Sequence, residues 1–292
     1  MKRHSLYLIC AASLLFGLSA GPAAAQVDWQ VRNTMTPGSK PLDVAASVDG
    51  NKVFVLAEGG KLHIYGADGG RIDVLNVDPR MERISVAGLQ AAGIEDKIYL
   101  TGPKAGMVQE LSLSFAVKID TQGAPILGNP QAPVEVVEFS DFECPFCSQA
   151  GPLLKQVLAK FPDQVKVVFK HLPLGNHKNA RPAALASMAA QNQGKFWEFH
   201  DRLFEEQKNL GPEKIRAIAT ELKLDMARFD RDLVSRELAQ RLEKEISDAR
   251  LAMVRGTPAI FVNGRELKQR TSENLQQMVE EELKKGAGRG SR

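Results

Sequence analysis

Cysteine is scarce in this sequence of 292 residues, which contains three: Cys10, Cys144 and Cys147. So few cysteines exclude a small domain held together by several disulfides and a zinc site built from two cysteine pairs. The sequence also lacks a large excess of either charge, because 38 lysines and arginines are balanced by 35 aspartates and glutamates. Without a basic cluster it lacks the charge pattern of a nucleic-acid-binding protein, so we expect no nucleic-acid partner.

Long apolar runs are missing after the first 25 residues, so no later segment is expected to cross a membrane. The beginning of the chain has the three parts of a secretory signal peptide. Lys2 and Arg3 are followed by an apolar stretch and by small residues at positions 23–25. We therefore predict that residues 1–25 are removed and that the mature protein is periplasmic or secreted. Only Cys144 and Cys147 then remain, in a compartment where disulfides form.

Residues 26–115 have the pattern of β-strands. Short runs that alternate apolar and polar residues are separated by Gly-Gly and Asp-Gly, which are typical hairpin turns. The stretch 41–69 resembles a β-propeller blade, and a weaker copy follows about 45 residues later. Two blades cannot close a ring, so we interpret this region as a small sheet of hairpins packed on its neighbour. The alternative is a module for dimerisation or docking.

Residues 116–292 have a different pattern. A Pro- and Gly-rich connector (120–133) leads to a β-branched run (134–139), an amphipathic stretch and another apolar run (164–174). From about 180 to 252 the pattern is helical, and a strand, an Asn-Gly turn, a strand and a helix follow. This order predicts a mixed α/β sheet covered by helices, with a helical block inserted between its halves.

Cys144 and Cys147 lie three positions apart between the β-branched run and the amphipathic stretch. Because a thiolate is the attacking species in disulfide exchange, a nucleophilic cysteine needs an environment that stabilises negative charge. We expect Cys144 at the N-terminus of a helix, with Pro145 in its first turn, since unpaired N–H groups there stabilise an anion. Cys147 would then be the more buried, resolving thiol on the same side of that turn.

Three kinds of site could contain this pair. A zinc site needs four ligands, and His171, His177 and His200 do not have ligand spacing. A purely structural disulfide closing so short a loop would stabilise the fold weakly. A redox-active Cys144–Cys147 disulfide needs neither four metal ligands nor a large contribution to stability. We therefore favour it and expect no metal or organic cofactor. We interpret His200 as a packing or surface histidine.

Several segments resemble a known family. The sequence VVEFSDFECPFC, with Pro152 in the following helix, and the downstream GTPAIFVNG resemble the thioredoxin-fold superfamily. The segments LGNPQAPVEVVEFSDFECPFC, FWEFHDRLF and RGTPAIFVNG, in this order, are most similar to DsbA-like thiol:disulfide oxidoreductases of the bacterial envelope. The resemblance covers about residues 114–286. It implies a thioredoxin fold with an inserted helical domain at about 180–252, exported substrates that are unfolded or contain cysteine, and a membrane partner that resets the dithiol.

The resemblance also implies roles for residues around the dithiol. Thr257 and Pro258 match a family loop in which a threonine precedes a cis-proline. In the family this loop lies against the dithiol, and the backbone of its threonine pairs with an extended substrate peptide. Pro145 and Phe146, between the cysteines, would belong to the same substrate-binding surface.

Glu138 occupies the strand position at which the family has a buried acid beneath the dithiol. Such an acid has a raised pKa and can exchange protons with the resolving cysteine. The alternative is an acid at the sheet margin that pairs with Lys170 of the adjacent strand. Asp141 and Glu143 are expected nearer the surface, where solvent screens their effect on a thiolate.

Phe146 departs from the strongly oxidising members of the family, which have histidine at this position. Phenylalanine offers no positive charge or hydrogen-bond donor to a thiolate, so a less oxidising disulfide is expected. Oxidase, isomerase and reductase activities therefore stay open. Two further alternatives are a dimeric isomerase joined through residues 26–115 and a peptide-binding chaperone without redox turnover.

Overall fold

The computed structural model describes residues 30–89, 94–113 and 115–289. The predicted signal peptide lies outside these residues. The chain divides into two compact units, residues 1–111 and residues 112–292, which we call the first and the second unit. This division falls four residues before the predicted boundary at 115.

The first unit consists of antiparallel hairpins. One sheet has four strands in chain order: β1 (Pro41–Ala46), β2 (Lys52–Ala57), β3 (Lys61–Gly66) and β4 (Arg71–Asn76). The other has three: β5 (Arg83–Leu89), β6 (Ile94–Gly102) and β7 (Met107–Ser112). The β-rich nature of this region is thus confirmed, whereas a role in dimerisation or docking stays a prediction.

The turn between β2 and β3 shows why glycine is required there. Gly60 has a φ of +67°, and a Cβ at this position would lie 2.3 Å from the carbonyl oxygen of Val77. Both the left-handed backbone and the close approach exclude a larger residue. On either side of this turn the strands place Phe54, Leu56 and Leu62 in the core.

The second unit is built on a mixed five-stranded sheet, in agreement with the predicted fold class. Its order is β12-β11-β9-β10-β8, in which β9 and β10 are parallel and the other neighbours are antiparallel. The strands are β8 (Ile126–Gly128), β9 (Val134–Ser140), β10 (Val165–His171), β11 (Ala259–Val262) and β12 (Arg265–Glu266).

Strand β8 lies inside the segment that the sequence predicts to be a connector. Ile126, Leu127 and Gly128 pair with β10. Three residues are too few to show the alternation that marks a strand, and Gly128, with a φ of +93°, ends it. The connector prediction is therefore wrong at this point.

Seven helices accompany the sheet in the described part of the second unit: α1 (Ala150–Lys160), α2 (Ala180–Gln191), α3 (Phe196–Glu205), α4 (Pro212–Glu221), α5 (Met226–Leu233), α6 (Arg236–Leu251) and α7 (Ser272–Arg289). Helices α1 and α7 contribute to the core on one face of β9, and α6 contributes to the core on the other. Helices α2 to α6 lie between β10 and β11 in the chain and form the inserted block. Within the described residues, no helix combines the length and apolar character needed to span a bilayer.

Helix α1 begins later than the sequence predicts. Its first residue, Ala150, lies six positions after Cys144, so the placement of Cys144 at a helix N-terminus with Pro145 in the first turn is wrong. Pro152 explains the delay, because in a continuous helix its ring would clash with the carbonyl of Ser148. The chain instead forms successive turns, closed by bonds from Cys147 N to Cys144 O (2.9 Å) and from Ala150 N to Cys147 O (3.0 Å).

Candidate active site

The two cysteines lie in the segment between β9 and α1, residues 141–149, which we call the dithiol loop. Both are free thiols, and both are buried: Cys144 is 4% exposed and Cys147 is 1% exposed. Pro145 and Phe146 form the solvent side of the loop, and Phe146 is 65% exposed. The nucleophile predicted from the sequence is thus shielded by its own loop, next to an exposed aromatic side chain.

The loop that contains Thr257 and Pro258 approaches the dithiol. The Thr257–Pro258 peptide bond is cis, as predicted. The Sγ atom of Cys144 donates a hydrogen bond to the carbonyl oxygen of Thr257, at 3.4 Å. The structure therefore brings together Cys144 and Thr257, which are 113 positions apart in the chain. Substrate binding by Thr257 and Pro258 stays a prediction.

Glu138 is a buried acid on β9. Burial raises the pKa of its carboxyl group to about 7, because the charged form loses its hydration, and the Ser140 hydroxyl opposes this rise by a smaller amount. A carboxyl group with this pKa is present in both protonation states near neutral pH. Glu138 is therefore suited to accept or release a proton.

The alternative pairing of Glu138 with Lys170 is wrong. In the register of the parallel pair, Glu138 lies opposite Phe169, whereas Lys170 lies opposite Phe139. Because successive side chains of a strand point to opposite faces, Glu138 and Lys170 are on different sides of the sheet. The ammonium group of Lys170 instead contacts the carboxylate of Asp248, at 2.5 Å.

Cys147 has an environment that disfavours its thiolate. Burial raises the pKa of the Cys147 thiol far above its ordinary value, and the negative charge of Glu138 adds to the rise. The Ser140 and Thr257 hydroxyls and the backbone N–H of Asp141 act in the opposite direction on this pKa. The Asp141 N–H donates to Cys147 Sγ at 3.4 Å. Cys147 is therefore a neutral thiol at neutral pH, and its pKa responds to the charge of Glu138, an acid that can supply a proton.

Ser140 and Thr257 share an unusual feature. Their hydroxyl oxygens are buried, and neither makes a hydrogen bond of normal geometry with the described residues. Buried hydroxyls ordinarily have partners, because an unpaired polar group is costly. Since both influence Cys147, they are placed to stabilise negative charge that forms on its sulfur.

Asp141 is buried, contrary to the expectation that it lies near the surface. Its carboxylate accepts hydrogen bonds from the backbone N–H of Glu143 (2.7 Å) and of Leu174 (2.8 Å). It also contacts His177 Nδ1 at 2.8 Å. The first of these bonds is a local turn that aspartate often makes, but the other partners lie more than 30 positions away. The sequence therefore gave no sign that Asp141 is the anchor of the dithiol loop.

Two further side chains attach the dithiol loop to the inserted helical block. The carboxylate of Glu143 accepts bonds from the backbone N–H and the side-chain amide of Asn179, at 2.5 and 3.0 Å. The side-chain amide of Gln207 donates to the carbonyl oxygens of Phe142 and Cys144, both at 2.9 Å. Gln207 begins a short 3-10 turn after α3 and was not identified from the sequence.

His200 has the packing role that we expect for it. It is buried, and burial lowers its pKa. Its ring lies within 6 Å of several rings, measured between centroids: Phe142, Phe169, Phe196, Trp197 and Phe204. His171 contacts Glu245, and His177 contacts Asp141. Within the described ranges, no group of three or more His, Cys, Asp or Glu side chains could hold a metal ion.

Comparison with known proteins places this site in a family. Residues 120–281 match the family described as thioredoxin. The Na(+)/H(+) antiporter NhaA 1 of Salinispora arenicola is 42% identical over 159 residues, which are 54% of this chain and 24% of that protein. NhaA 3 of Salinispora tropica is 42% identical over 154 residues, or 52% of this chain and 24% of that protein. The chain thus spans about a quarter of the length of these curated relatives.

Solved structures agree with the family match. BdbD from Bacillus subtilis, in its oxidised form, superposes with a TM-score of 0.53 and 27% identity, covering 59% of this chain and 98% of that one. A thioredoxin-like oxidoreductase from Silicibacter pomeroyi gives a TM-score of 0.50 and 28% identity, covering 56% and 94%. The thiol-disulfide exchange protein alpha-DsbA2 from Wolbachia pipientis, at 21% identity, a TM-score of 0.50 and coverage of 55% and 87%, shows the same fold. Because more than half of its length matches, the chain belongs to the thioredoxin family, and its structure resembles those of BdbD and of a thioredoxin-like oxidoreductase.

Proposed function

We propose that this protein exchanges disulfides with exported, cysteine-containing proteins in the bacterial envelope, through Cys144 and Cys147. The observation that carries the proposal is that one loop contains two buried thiols whose surroundings differ. Cys144 lies against the carbonyl of Thr257, and Cys147 is coupled to the acid Glu138. The envelope location is supported by the predicted signal peptide and by the requirement for a compartment in which disulfides persist.

In the oxidising direction, a substrate thiolate attacks Sγ of Cys144 in the Cys144–Cys147 disulfide. The S–S bond breaks, a mixed disulfide forms at Cys144, and Cys147 leaves with the electron pair as a thiolate. A second substrate thiolate then attacks the substrate sulfur of the mixed disulfide, and Cys144 leaves. The substrate loses two electrons and the protein gains them, so a further oxidant must restore its disulfide.

Glu138 supplies the proton that the Cys147 thiolate takes up in these steps. The pKa of Cys147 is raised by burial, so its departing thiolate takes up a proton readily. The carboxyl group of Glu138, whose pKa is about 7, is the buried acid coupled to that sulfur. In the reverse direction Glu138 accepts the proton, which activates Cys147 for attack on the mixed disulfide.

Reduction and isomerisation use the same groups in the opposite order. The Cys144 thiolate attacks a substrate disulfide and forms a mixed disulfide. Cys147 then attacks Cys144, which releases a reduced substrate, or a second substrate thiol does so and leaves the substrate with a new disulfide. Phe146 provides no charge to stabilise the Cys144 thiolate, and this favours a dithiol that is less oxidising than one with histidine there.

Substrate binding is assigned to the exposed side of the dithiol loop and to the cis-proline loop. Phe146 offers an exposed aromatic surface beside Pro145. The backbone of Thr257, which already contacts Cys144, can pair with an extended peptide whose cysteine reaches the same sulfur. Main-chain pairing of this kind selects for extended chains rather than for a particular sequence, which suits unfolded substrates.

Two partners follow from this proposal. A membrane redox protein would restore the dithiol or the disulfide after each cycle. The first unit would bind that membrane protein or join two copies of this chain. Sedimentation of the mature chain, which shows whether it is a monomer or a dimer, distinguishes these roles. A dimer that also reshuffles scrambled disulfides is the isomerase alternative.

Replacement of Cys147 by serine tests the proposal. Cys147→Ser should accumulate substrates as mixed disulfides on Cys144, because the resolving thiol is missing. Cys144→Ser, a change of the same chemistry three residues away, should accumulate none. The adducts are counted by non-reducing electrophoresis and mass spectrometry after incubation of the reduced variants with an unfolded client of known sequence that contains a disulfide. Cys144 attacks this disulfide, and one client sulfur leaves as a thiolate.

The chaperone alternative predicts another result. If Cys147→Ser forms no adduct while the protein still binds the unfolded client, peptide binding without redox turnover is the correct function. The proposed exchange reaction would then be wrong.

A further inference from the structure

The dithiol loop is held in place without a helix of its own. Helix α1 begins only at Ala150, so the turns from Cys144 to Gln149 lack the regular i to i+4 ladder that would fix the two sulfurs relative to each other. Within the loop, backbone bonds join Cys147 N to Cys144 O and Ala150 N to Cys147 O. Short-range bonds of this kind define a turn, but they give less rigidity than a full helix.

Gln207 supplies a constraint from outside the loop. Its single amide nitrogen carries two hydrogens, and it lies 2.9 Å from both the Phe142 and the Cys144 carbonyl oxygens. The Cys144 carbonyl is the one that also accepts the bond from Cys147 N. Gln207 therefore contacts the turn that separates the two cysteines at the atom on which that turn closes.

This contact joins two parts of the second unit that are distant in sequence. Gln207 follows α3 in the inserted helical block and lies 63 positions after Cys144. Both of its loop partners are backbone atoms, so the contact does not depend on the identity of the residues between the cysteines. A side chain that fixes two carbonyls around a nucleophile determines the backbone geometry from which that nucleophile reacts.

We infer that Gln207 is a positioning residue for the dithiol, through which the inserted helical block holds Cys147 in reach of the Cys144 sulfur. The inference rests on the proposed disulfide exchange. Gln207 touches neither sulfur, so its effect is on the approach of Cys147 Sγ to a mixed disulfide at Cys144. In that step the Cys147 thiolate forms a bond to Cys144 Sγ, the bond from Cys144 to the outside sulfur breaks, and the outside thiol leaves with the electron pair.

The test uses glutathione as the outside thiol and the mature full-length protein. The mixed disulfide of Cys144 with glutathione is generated by adding oxidised glutathione to the reduced protein, and its decay is followed by acid quenching and mass spectrometry. Gln207→Met keeps the length of the side chain and removes both donors. We expect its decay rate to fall about three- to tenfold, in line with the loss of one or two hydrogen bonds at the reacting geometry.

Gln193 provides a matched control. It too is a half-buried glutamine of the inserted block that bridges backbone atoms, because its side chain bonds the N–H and the carbonyl of Asp225 at 2.8 and 3.2 Å. Gln193→Met should lower the stability of the block as much as Gln207→Met does and leave the decay rate unchanged. Thermal unfolding of both variants measures the shared loss of stability.

The outcomes separate the inference from the proposed function. A wild-type protein that forms no mixed disulfide with glutathione contradicts the exchange reaction itself. A wild-type protein that exchanges, with a Gln207→Met variant that decays at the same rate, overturns the positioning role alone. If Gln207→Met does not fold, Gln207→Asn, whose amide is one methylene short of the two carbonyls, is measured instead with the same expected direction.

Discussion

Buried polar groups without a hydrogen-bond partner among the described residues occur in both units, and their surroundings differ. In the first unit His63 and Tyr65 are buried on neighbouring positions of β3, and neither ring nitrogen of His63 nor the hydroxyl of Tyr65 has a hydrogen-bond partner within the described part of the chain. Burial lowers the pKa of His63, with a further contribution from the charge of Arg71, so its ring is neutral at neutral pH.

In the second unit two buried charged groups at the end of β10 are paired. His171 donates its backbone N–H to the Glu245 carboxylate at 2.6 Å, and its ring nitrogens lie 2.8 Å from Glu245 and 2.7 Å from Ser187. Lys170, the preceding residue, is paired with Asp248. These contacts join the end of β10 to α2 and α6, which connects the sheet to the inserted block.

The comparison shows that an unpaired buried group has different meanings in the two units. Around Cys147 the hydroxyls of Ser140 and Thr257, which make no hydrogen bond of normal geometry with the described residues, lower the pKa of a sulfur that becomes negative in the proposed exchange. Tyr65 on β3 belongs to the first unit, which does not contain Cys144 or Cys147, and we interpret its hydroxyl, which has no partner among the described residues, as a cost to stability. Removal of either kind of hydroxyl should therefore maintain or raise stability, but only removal beside Cys147 should slow exchange.

The largest effect is expected from breaking the buried pair of the second unit. Glu245→Ala leaves His171 buried without its carboxylate, and we expect it to lower the free energy of unfolding by about 3 to 5 kcal/mol. The measurement is urea unfolding of the mature protein, followed by a signal that reports the second unit, such as Trp197 fluorescence.

Glu243 on the same helix is the control. It pairs with Arg181 at 2.8 Å, but both side chains are about half exposed, so Glu243→Ala should change the free energy of unfolding by less than about 1 kcal/mol. Equal effects of the two substitutions would show that burial does not increase the contribution of the Glu245–His171 pair to stability.

Glu138 should make stability depend on pH. Its pKa is about 7 in the folded protein and 4.5 in the unfolded chain, so between these values the folded state holds a proton that the unfolded state has released. Stability therefore falls as pH rises from about 4.5 to 7 and is constant above, with a total cost of about 3 kcal/mol. Glu138→Gln should recover this energy at pH 8 and leave stability at pH 4 unchanged.

The same substitution separates stability from exchange. Glu138→Gln cannot transfer a proton to or from Cys147, so the decay of the glutathione mixed disulfide should slow while the protein becomes more stable at pH 8. Asp120 is exposed, and its carboxylate contacts Lys244; Asp120→Asn is the control for loss of one carboxylate and should show no stabilisation at pH 8. A flat stability profile for the wild type between pH 4.5 and 7 would contradict the assignment of Glu138 as a buried acid.

Ser140→Ala tests the meaning of unpaired hydroxyls at the dithiol. The substitution removes a buried hydroxyl that makes no hydrogen bond of normal geometry with the described residues, so stability should stay the same or rise. The thiolate of Cys147 loses a donor, and the decay of the mixed disulfide should slow about threefold to tenfold. Loss of stability with unchanged decay would indicate that Ser140 has only a structural role.

The general architecture of the second unit could be predicted from the sequence because it depends on local patterns. The β-branched run at β9 and the Asn-Gly turn between β11 and β12 are visible in short windows. The dithiol and the cis Thr257–Pro258 bond were found through the motifs that contain them. The start of α1 differs from the prediction because the ring of Pro152 conflicts with a helical carbonyl at Ser148, which is a local effect.

The remaining parts of the site depend on contacts that no sequence window contains. Asp141 is expected near the surface, but it is buried and bonded to Leu174 and His177, which are more than 30 positions away. Gln207 lies in an ordinary polar stretch, and only the folded chain brings it to the Cys144 carbonyl. Such long-range polar contacts have no periodicity, and they decide how the motif is held.

The smallest effect is expected in the first unit. Tyr65→Phe removes one buried hydroxyl that has no partner in the described structure and keeps the ring, which is stacked with His63 at 6.3 Å. We expect the free energy of unfolding of the first unit to rise by up to about 1 kcal/mol, with no change in the decay of the mixed disulfide. Tyr99→Phe on β6 is the control, since the side chain of Tyr99 is less buried than that of Tyr65 and affects the pKa values of Lys97 and Glu110. If Tyr65→Phe destabilises the protein, the Tyr65 hydroxyl has a hydrogen-bond partner in solution. The two units would then differ in which partner a buried hydroxyl uses, and not in whether it has one.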